Sequence, residues 1–404
     1  MILAMSNADL RNRRILISGA SVAGPALAYW LARYGFSPTV VERAPQLRGG
    51  GYAVDFRGPA HLSVLTQMGL LKQVEAAQTS LRTTSYVDSS GRPVAQMPAQ
   101  IFAGDVEILR GDLGQILYQA TRDSTEYLFG DTITSLAQDG DEVRVSFGQA
   151  APRTFDLVIG ADGLHSNVRR LAFTDQPDPV RDLGLYVSIF SVAGSFGLDH
   201  SGLLYSVPGK TASVFSAREP GQAVAVFFFT SPEPIRYGYH DVAQQKQILA
   251  QVYGDVGWQV PALLAQLPAA GDFYFDSVSQ VELDRWSAGR VALTGDAGYA
   301  AGPGGNGTGT AVIAAYVLAG ELAAARGDYR TAFARYEERL RRYVAKGQKQ
   351  ARGGAAFLAP ATAQRIRQRD RTFRMLSRLP AQGLIRYLST RTAAAIRLPV
   401  YQGS

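Results

Sequence analysis

The chain has 404 residues, 46% hydrophobic and 19% charged, with no cysteine and four histidines. That balance describes a globular protein with room for two or three cores and excludes the disordered, collagen-like and disulfide-stapled classes. A thiol nucleophile and a thiolate metal site are excluded with the cysteines, and four scattered histidines make no metal the expectation.

In chain order, Arg14 to Ser18 is a short apolar run ending at Gly19, which suits a buried parallel strand. Ala23, Leu27, Leu31 and Tyr34 follow at helical spacing, and Gly35 stands where a helix C-cap falls. Thr39, Val40 and Val41 then form a second strand that ends on Glu42. This is a βαβ unit with glycines at its first turn and an acid at the tip of its second strand. Glycines there let the backbone approach a pyrophosphate at a helix N-terminus, and the acid hydrogen-bonds a ribose hydroxyl. Ser21 replaces the middle glycine of the GxGxxG pattern. The same residues allow a rival, a nucleophile elbow with Ser21 as the attacking hydroxyl. An elbow follows several earlier strands, whereas this turn follows only a short N-terminal stretch, so nucleotide binding is preferred.

After Glu42 a loop carries Gly49, Gly50 and Gly51, which implies unusual backbone angles or close approach to a ligand. Helical spacing returns over 61–77, and residues 81–88 and 94–97 read as a hairpin that leaves the α/β pattern for a second sheet. A strand over 107–110, a helix with Leu113, Ile116 and Leu117 on one face, and a hairpin over 132–147 follow. Residues 155–159 form an apolar strand ending in Gly160-Ala161-Asp162-Gly163. From about Pro177 four strand-like runs succeed one another without helices, the sign of a largely antiparallel sheet. Phe190, Tyr205, Phe215 and Phe227 to Phe229 are placed either in its core or along a substrate cavity. A helix over 241–252 and a returning strand over 273–283 complete it. The strand 290–294 then leads through Gly295-Asp296 and a glycine-rich turn into a long helix over 311–325. That turn again sets backbone N–H groups at a helix N-terminus beside a carboxylate, a ligand loop.

The net charge of +7 is uneven. Between Arg335 and Arg397 fourteen Arg and two Lys stand against three acids, a local +13 that leaves about −6 elsewhere. Without a nucleic-acid-binding motif, no nucleic-acid partner is expected, and the basic helices should pair with the acidic body. No apolar run approaches the roughly 18 residues of a membrane span, and the first residues lack a signal core, so the expectation is a cytoplasmic chain with no membrane partner.

Three stretches in this order resemble the FAD-dependent aromatic hydroxylases of the para-hydroxybenzoate hydroxylase type. They are GASVAG with Glu42, GADGLHSNVRR at 160–170, and GRVALTGDAGYAAGPGGNG at 289–307. The resemblance spans roughly residues 13 to 350. It implies an α/β fold: a Rossmann-like FAD-binding domain, an inserted antiparallel β-sheet substrate domain and C-terminal helices. The FAD-binding domain would take 1–80, 101–177 and 285–345. The sheet domain would take 81–100 and 178–284, and the basic segment 346–404. The first motif (Gly19, Ser21, Val22, Ala23, Gly24), with Glu42 and Arg43, would hold the ADP half of FAD. Arg110 looks like the family's flavin-contacting arginine. Asp162 and Gly163 match a motif associated with both FAD and nicotinamide use. Gly295 and Asp296 would lie near the ribityl and pyrophosphate, with Pro303, Gly305, Asn306 and Gly307 near the flavin ring. Gly298-Tyr299 stands where Ala-His is commoner, and the 303–305 segment is one residue shorter than usual. The WxWxIP motif of the related flavin halogenases is absent.

The resemblance implies that NAD(P)H reduces the flavin and that O₂ gives a flavin C4a-hydroperoxide, which hydroxylates a small aromatic or polyketide-like substrate. The cofactor then carries the chemistry, so no catalytic side chain is named. His165 and Tyr299 are the tempting acid–base candidates, with loop structure the preferred reason for each. A flavin-dependent dehydrogenase and a non-catalytic flavin-binding or ligand-binding protein share the same motifs. A monomer or homodimer is expected.

Overall fold

The computed structural model describes residues 10–47, 49, 52–79, 81–97, 104–219, 221–304, 306–377 and 395–401. Gly50 and Gly51 of the glycine loop, and Gly305 among the expected cofactor contacts, lie outside the described residues.

Strand β1 (Arg14–Ser18), helix α1 (Ala23–Arg33) and strand β2 (Ser37–Glu42) form the βαβ unit, followed by β3 (Ala53–Phe56). The helical spacing over 61–77 divides into α2 (Gly58–Gln67) and α3 (Leu71–Ala76), parted at Gly69, whose φ of 73° ends the first helix. The hairpin β4 (Thr83–Val87) and β5 (Pro93–Met97) comes next, then β6 (Val106–Leu109), and Arg110 opens α4 (Arg110–Gln119). Strand β7 (Glu126–Phe129) precedes a small meander of β8 (Ile133–Gln138), β9 (Val143–Phe147) and β10 (Arg153–Phe155). The strand expected over 155–159 is two strands. Between β10 and β11 (Leu157–Gly160) the Asp156 carboxylate turns aside to accept from the Arg14 backbone N–H at 2.8 Å and its guanidinium at 2.9 Å.

After α5 (Asn167–Ala172) the chain enters β12 (Val180–Ala193), β13 (Ser201–Val207), β14 (Lys210–Ser216) and β15 (Gln222–Thr230). Helices α6 (Val242–Tyr253) and α7 (Val260–Gln266) lead to β16 (Tyr274–Val281). The chain returns through β17 (Ser287–Ala288) and β18 (Val291–Leu293) to α8 (Asp296–Tyr299) and the long α9 (Gly307–Ala324). Helix α9 begins four residues before the expected Ala311, because Asn306 turns the chain at φ 58° and the following glycines enter the helix. Helices α10 (Tyr329–Ala351), α11 (Gly354–Leu358) and α12 (Ala363–Leu376) follow.

The strands assemble into a six-stranded sheet, β17-β18-β11-β1-β2-β7, parallel except at its β17 edge. A seven-stranded sheet, β16-β12-β15-β14-β13-β4-β5, is antiparallel except where β4 joins β13. Alternation along its strands decides where the aromatics go. Phe190, Phe227 and Phe229, with Tyr186 and Phe275, are buried on one face against Leu249 and Tyr253 of α6 and Leu263 of α7. Phe228 points to the other face, toward Leu185, Val278 and Ala359.

Helix α9 is the spine of the molecule. Its 18 residues are long and apolar enough to cross a bilayer, more than the sequence reading allowed, yet nearly all of the helix is core. The chain's last described residues close over it. Tyr401 fits a notch at Gly320, where an added Cβ would lie 2.2 Å from the ring. Its hydroxyl donates to the buried carboxylate of Glu321 at 2.7 Å, which Arg339 also pairs at 2.5 Å. Tyr316 donates to the Pro399 carbonyl at 2.8 Å. Other basic residues of the C-terminal stretch are used in the same way. Arg352 pairs with Glu282, and Arg369 lies 3.6 Å over the Tyr86 ring while pairing with Asp370. Helix α12 thereby covers the sheet edge at Tyr86, Met97 and Leu204.

Tyr401→Phe removes a donor from a buried carboxylate. The expected loss is about 1–2 kcal/mol of stability, read as a lower denaturant midpoint with an unchanged slope. An unchanged midpoint would show that Arg339 alone satisfies Glu321.

Candidate functional site

Strands β18, β11, β1 and β2 lie side by side in one direction, so the turns that follow them converge at the carboxyl edge of the sheet, where open α/β sheets bind ligands. The convergence is backbone on backbone. A Cβ on Gly19, which sits at φ 108°, would lie 2.5 Å from the Ala161 carbonyl. A Cβ on Gly24 would lie 1.9 Å from the Gly19 carbonyl, and one on Gly295 would lie 3.1 Å from Ala23. The first and second motifs therefore touch through Gly19 and Ala161, and the first and third through Ala23 and Gly295.

Helix α1 opens on Val22 with no side-chain cap and no acid in its first turn, which leaves N–H donors and the positive end of its dipole toward the cleft. Ser21, at the position of the missing glycine, is half-buried on the turn. Glu42 accepts from the backbone N–H of Ala20 at 2.8 Å and of Ala44 at 2.9 Å, one bond to each oxygen. Each oxygen keeps a lone pair for a ribose hydroxyl. Arg43 reaches away, to Nε2 of His240 at 3.0 Å.

Arg110, at the start of α4, has its guanidinium 5.6 Å from the Tyr52 ring centroid. Tyr52, with Tyr274, Asp296 and Glu42, holds its pKa above the ordinary value against the opposing effect of burial. Asp296 is exposed, but only to a cleft walled by protein, and this confinement raises its pKa while Arg110 lowers it. Gly295 before it adopts φ 62° and ψ −145°, a conformation open to glycine.

Asp162 serves the chain itself. Its carboxylate accepts from the Ser166 hydroxyl at 2.5 Å and from the N–H groups of Asn167 and Val168 at 2.9 and 3.1 Å, satisfying the start of α5. Gly163 makes the preceding turn at φ 79°. The buried Arg169 donates to the carbonyls of Ala297 at 2.8 Å and Leu164 at 2.6 Å, tying the second motif to the third. Tyr299 is a core residue, with its hydroxyl bonded to Tyr336 at 2.7 Å and Thr294 at 3.1 Å. His165 differs. It is half-exposed, stacks on Tyr239 at 4.8 Å, and bonds through Nε2 to Asp276 of the second sheet at 3.0 Å.

Gly307, at the start of α9, completes the cleft. Pro303 rests against α11, its carbonyl 3.1 Å from where a Gly354 Cβ would stand. Asn306 is buried, and its Nδ2 has no hydrogen-bond partner. Gly307, Thr310, Gly295 and Asp296 line one small enclosed space. The residues fit FAD on these observations: Cβ-intolerant turns, an uncapped helix N-terminus, a ribose-ready carboxylate and an orphaned buried amide. Glu42 and the α1 turn would hold the ADP half. Arg110, Asp296, Pro303, Asn306 and Gly307 would hold the flavin half.

Sequence reasoning missed Tyr52, Tyr274 and Asp276, which stand in no motif. Asp276 has one signal, an acid within an otherwise uncharged strand, YFDSVSQV. Strand β3, which pairs with the expected strand β6 behind Arg110, was also missed. It sets Asp55 opposite Glu107, and Asp55 pairs with Arg57. Burial pushes Glu107 up to about 7, against a bond from the Thr79 hydroxyl at 2.5 Å.

The chain matches the FAD binding domain family over residues 12–352. It is 47% identical over 343 residues to an uncharacterized protein of Mycobacterium tuberculosis, covering 83% of this chain and 92% of that one. It is 40% identical over 344 residues to a flavin-dependent monooxygenase of Legionella longbeachae, covering 84% and 88%. Among solved structures, tetracycline destructase Tet(55) matches with a TM-score of 0.82 and 40% identity over 96% of this chain and 99% of that one.

Glu42→Ala is expected to weaken FAD retention by about 1–3 kcal/mol, measured by fluorescence titration of apoprotein. Unchanged affinity would remove the ribose assignment. For Glu107, the folded chain holds a proton between about pH 4.5 and 7 that the unfolded chain releases, so this carboxyl makes stability fall as pH rises through that window. Glu107→Gln should flatten the fall and stabilise the protein at pH 8 by on the order of 1–3 kcal/mol, read by denaturation across pH. A fall as steep in Glu107→Gln as in the wild type would assign it to other groups.

Proposed function

The chain belongs to the FAD-dependent flavoprotein monooxygenases of the para-hydroxybenzoate hydroxylase type, and we propose that it uses NAD(P)H and O₂ to hydroxylate an aromatic or polyketide-like small molecule. The observation that carries the reading is the cleft where three glycine turns meet beside Tyr274 of the second sheet, with Arg110 and Asp296 set against each other there and the buried Asn306 amide unpartnered. FAD held there would supply the redox chemistry, a two-electron path from NAD(P)H to O₂ by which one oxygen atom goes to the substrate and the other to water.

The chain's own part is placement and exclusion of water. The α1 N-terminus meets the pyrophosphate and Glu42 the ribose. Arg110 and Asp296 fix the far half between opposite charges. In this reading the seven-stranded sheet roofs the cleft with the face turned away from α6 and α7, which carries Ile189, Val224 and Val226 as alternate residues. Such a wall suits a flat, largely apolar ring system and keeps water from a reactive oxygen. Tet(55) is named for tetracyclines, which makes fused-ring polyketides the first substrates to test here. No side chain is assigned to the oxygen transfer. The reading carries with it a cytoplasmic enzyme, monomer or homodimer, without a membrane or nucleic-acid partner.

Reduction of the flavin should be slow with NAD(P)H alone and rise many-fold with the true substrate, since a reactive oxygen formed without substrate is wasted as peroxide. Stopped-flow reduction with and without substrate tests the gating, and ¹⁸O₂ labelling of the product tests the oxygen source. Equal reduction rates would remove the gating. Product without label would assign a dehydrogenase instead.

A further inference from the structure

The turn that opens α9 is held from behind by groups outside all three motifs. His61 of α2 is fully buried, and its ring lies so close to α9 that a Cβ on Gly309 would fall 2.1 Å from it. Its Nδ1 accepts the backbone N–H of Arg57 at 3.0 Å. Nδ1 therefore carries the lone pair, and in the neutral ring the proton sits on Nε2. Burial, reinforced by Arg57, lowers the imidazole to about 4, so the neutral form holds at working pH. Nε2 lies 2.7 Å from the Tyr343 hydroxyl of α10 and donates to it. Tyr343 in turn lies close enough to the Thr310 hydroxyl, in the first turn of α9, for that hydroxyl to oppose the rise in its pKa that burial causes. Thr310 lines the same small space as Gly295, Asp296 and Gly307, and its backbone N–H donates at 2.9 Å to the carbonyl of Asn306, whose Nδ2 has no partner.

Resting on the reading of this cleft as a flavin site, we propose that His61, acting through Tyr343 and Thr310, is the positioning residue that aims the α9 N-terminus and the Asn306 amide at the flavin. One polar chain joins α2, α10 and α9, and each link fixes the next. The backbone N–H of Arg57 sets the tautomer of His61, the tautomer sets the hydroxyl of Tyr343, and that hydroxyl lies against the threonine. In a dry surrounding such a chain tolerates no missing member, because the groups left behind are buried and unpaired. Gly309 is glycine so that the ring can approach. What the brace delivers is electrostatic: a helix N-terminus held in one place favours the negative charge that reduction adds to the bound ring.

The test compares wild type, Tyr343→Phe and His61→Gln, in which glutamine retains one acceptor and one donor. In FAD-free protein, amide hydrogen exchange in the first turn of α9 should rise about tenfold in Tyr343→Phe and stay near wild type in His61→Gln. With FAD, Tyr343→Phe should lose about tenfold in its preference for reduced over oxidised flavin, equivalent to about 30 mV for a two-electron couple. An unchanged potential in Tyr343→Phe would overturn the proposal. So would exchange raised equally along α2, α9 and α10, since loosened packing alone would produce that. A wild-type chain unable to hold FAD would sink the flavin reading and leave the exchange comparison standing on its own.

Discussion

The structure depends on one close approach, the meeting of backbones where β1, β11 and β18 end. Gly24 lies against the carbonyl of Gly19, Gly19 against that of Ala161, and Gly295 against Ala23. No side chain fits between the first two pairs and only the Ala23 methyl stands in the third, so the turns form a floor made almost wholly of peptide groups. Parallel strands require this geometry, because their crossover helices all start at the same edge and bring their N–H-rich ends together there. A concentration of positive helix ends is an anion site before any side chain is added. Arg110 and Asp296 then break its symmetry.

The second sheet is joined to this floor along β16. Asp276 of that strand receives His165 from the β11–α5 turn and Tyr237 from the loop before α6. Farther along, Gln280 donates to the carbonyls of Ala301 and Gln348, and Gln348 donates back to that of Val281. A strand that carries polar side chains in a buried setting cannot slide without leaving them unpaired. The second sheet is thus fixed in register to α10, while Tyr239, half-exposed, stacks on His165.

Local patterns carried most of the fold. The apolar runs of β1 and β11 and the glycine turns were legible because parallel strands buried on both faces leave a strong mark in sequence. The break at Asp156 was not legible, since its cause is Arg14, far off in the chain. The start of α9 was misplaced because glycines were read as loop, whereas here Gly309 answers to His61 and not to helix propensity. Glu42, Arg110 and Asp296 could be named from motif positions. Tyr52, Asp276, His61 and Tyr343 could not, because what recommends them is contact between distant segments. For the aromatic runs, composition left two placements open, and strand alternation divided them: Phe227 and Phe229 to one face, Phe228 to the other.

The notch at Gly320 bears on the order in which the molecule can be completed. Its occupant, Tyr401, is made long after α9, and until it arrives Glu321 keeps Arg339 but lacks its tyrosine. A nascent chain can therefore build the sheet and its glycine floor while the spine is still open along one side. Closing that side falls to the last described residues. The same order applies in reverse under a carboxypeptidase: trimming that reaches Tyr401 uncovers the interior of the cofactor half, some distance from any cleft. The soundness of the core is thus settled well after α9 is made, by a residue with no part in the site.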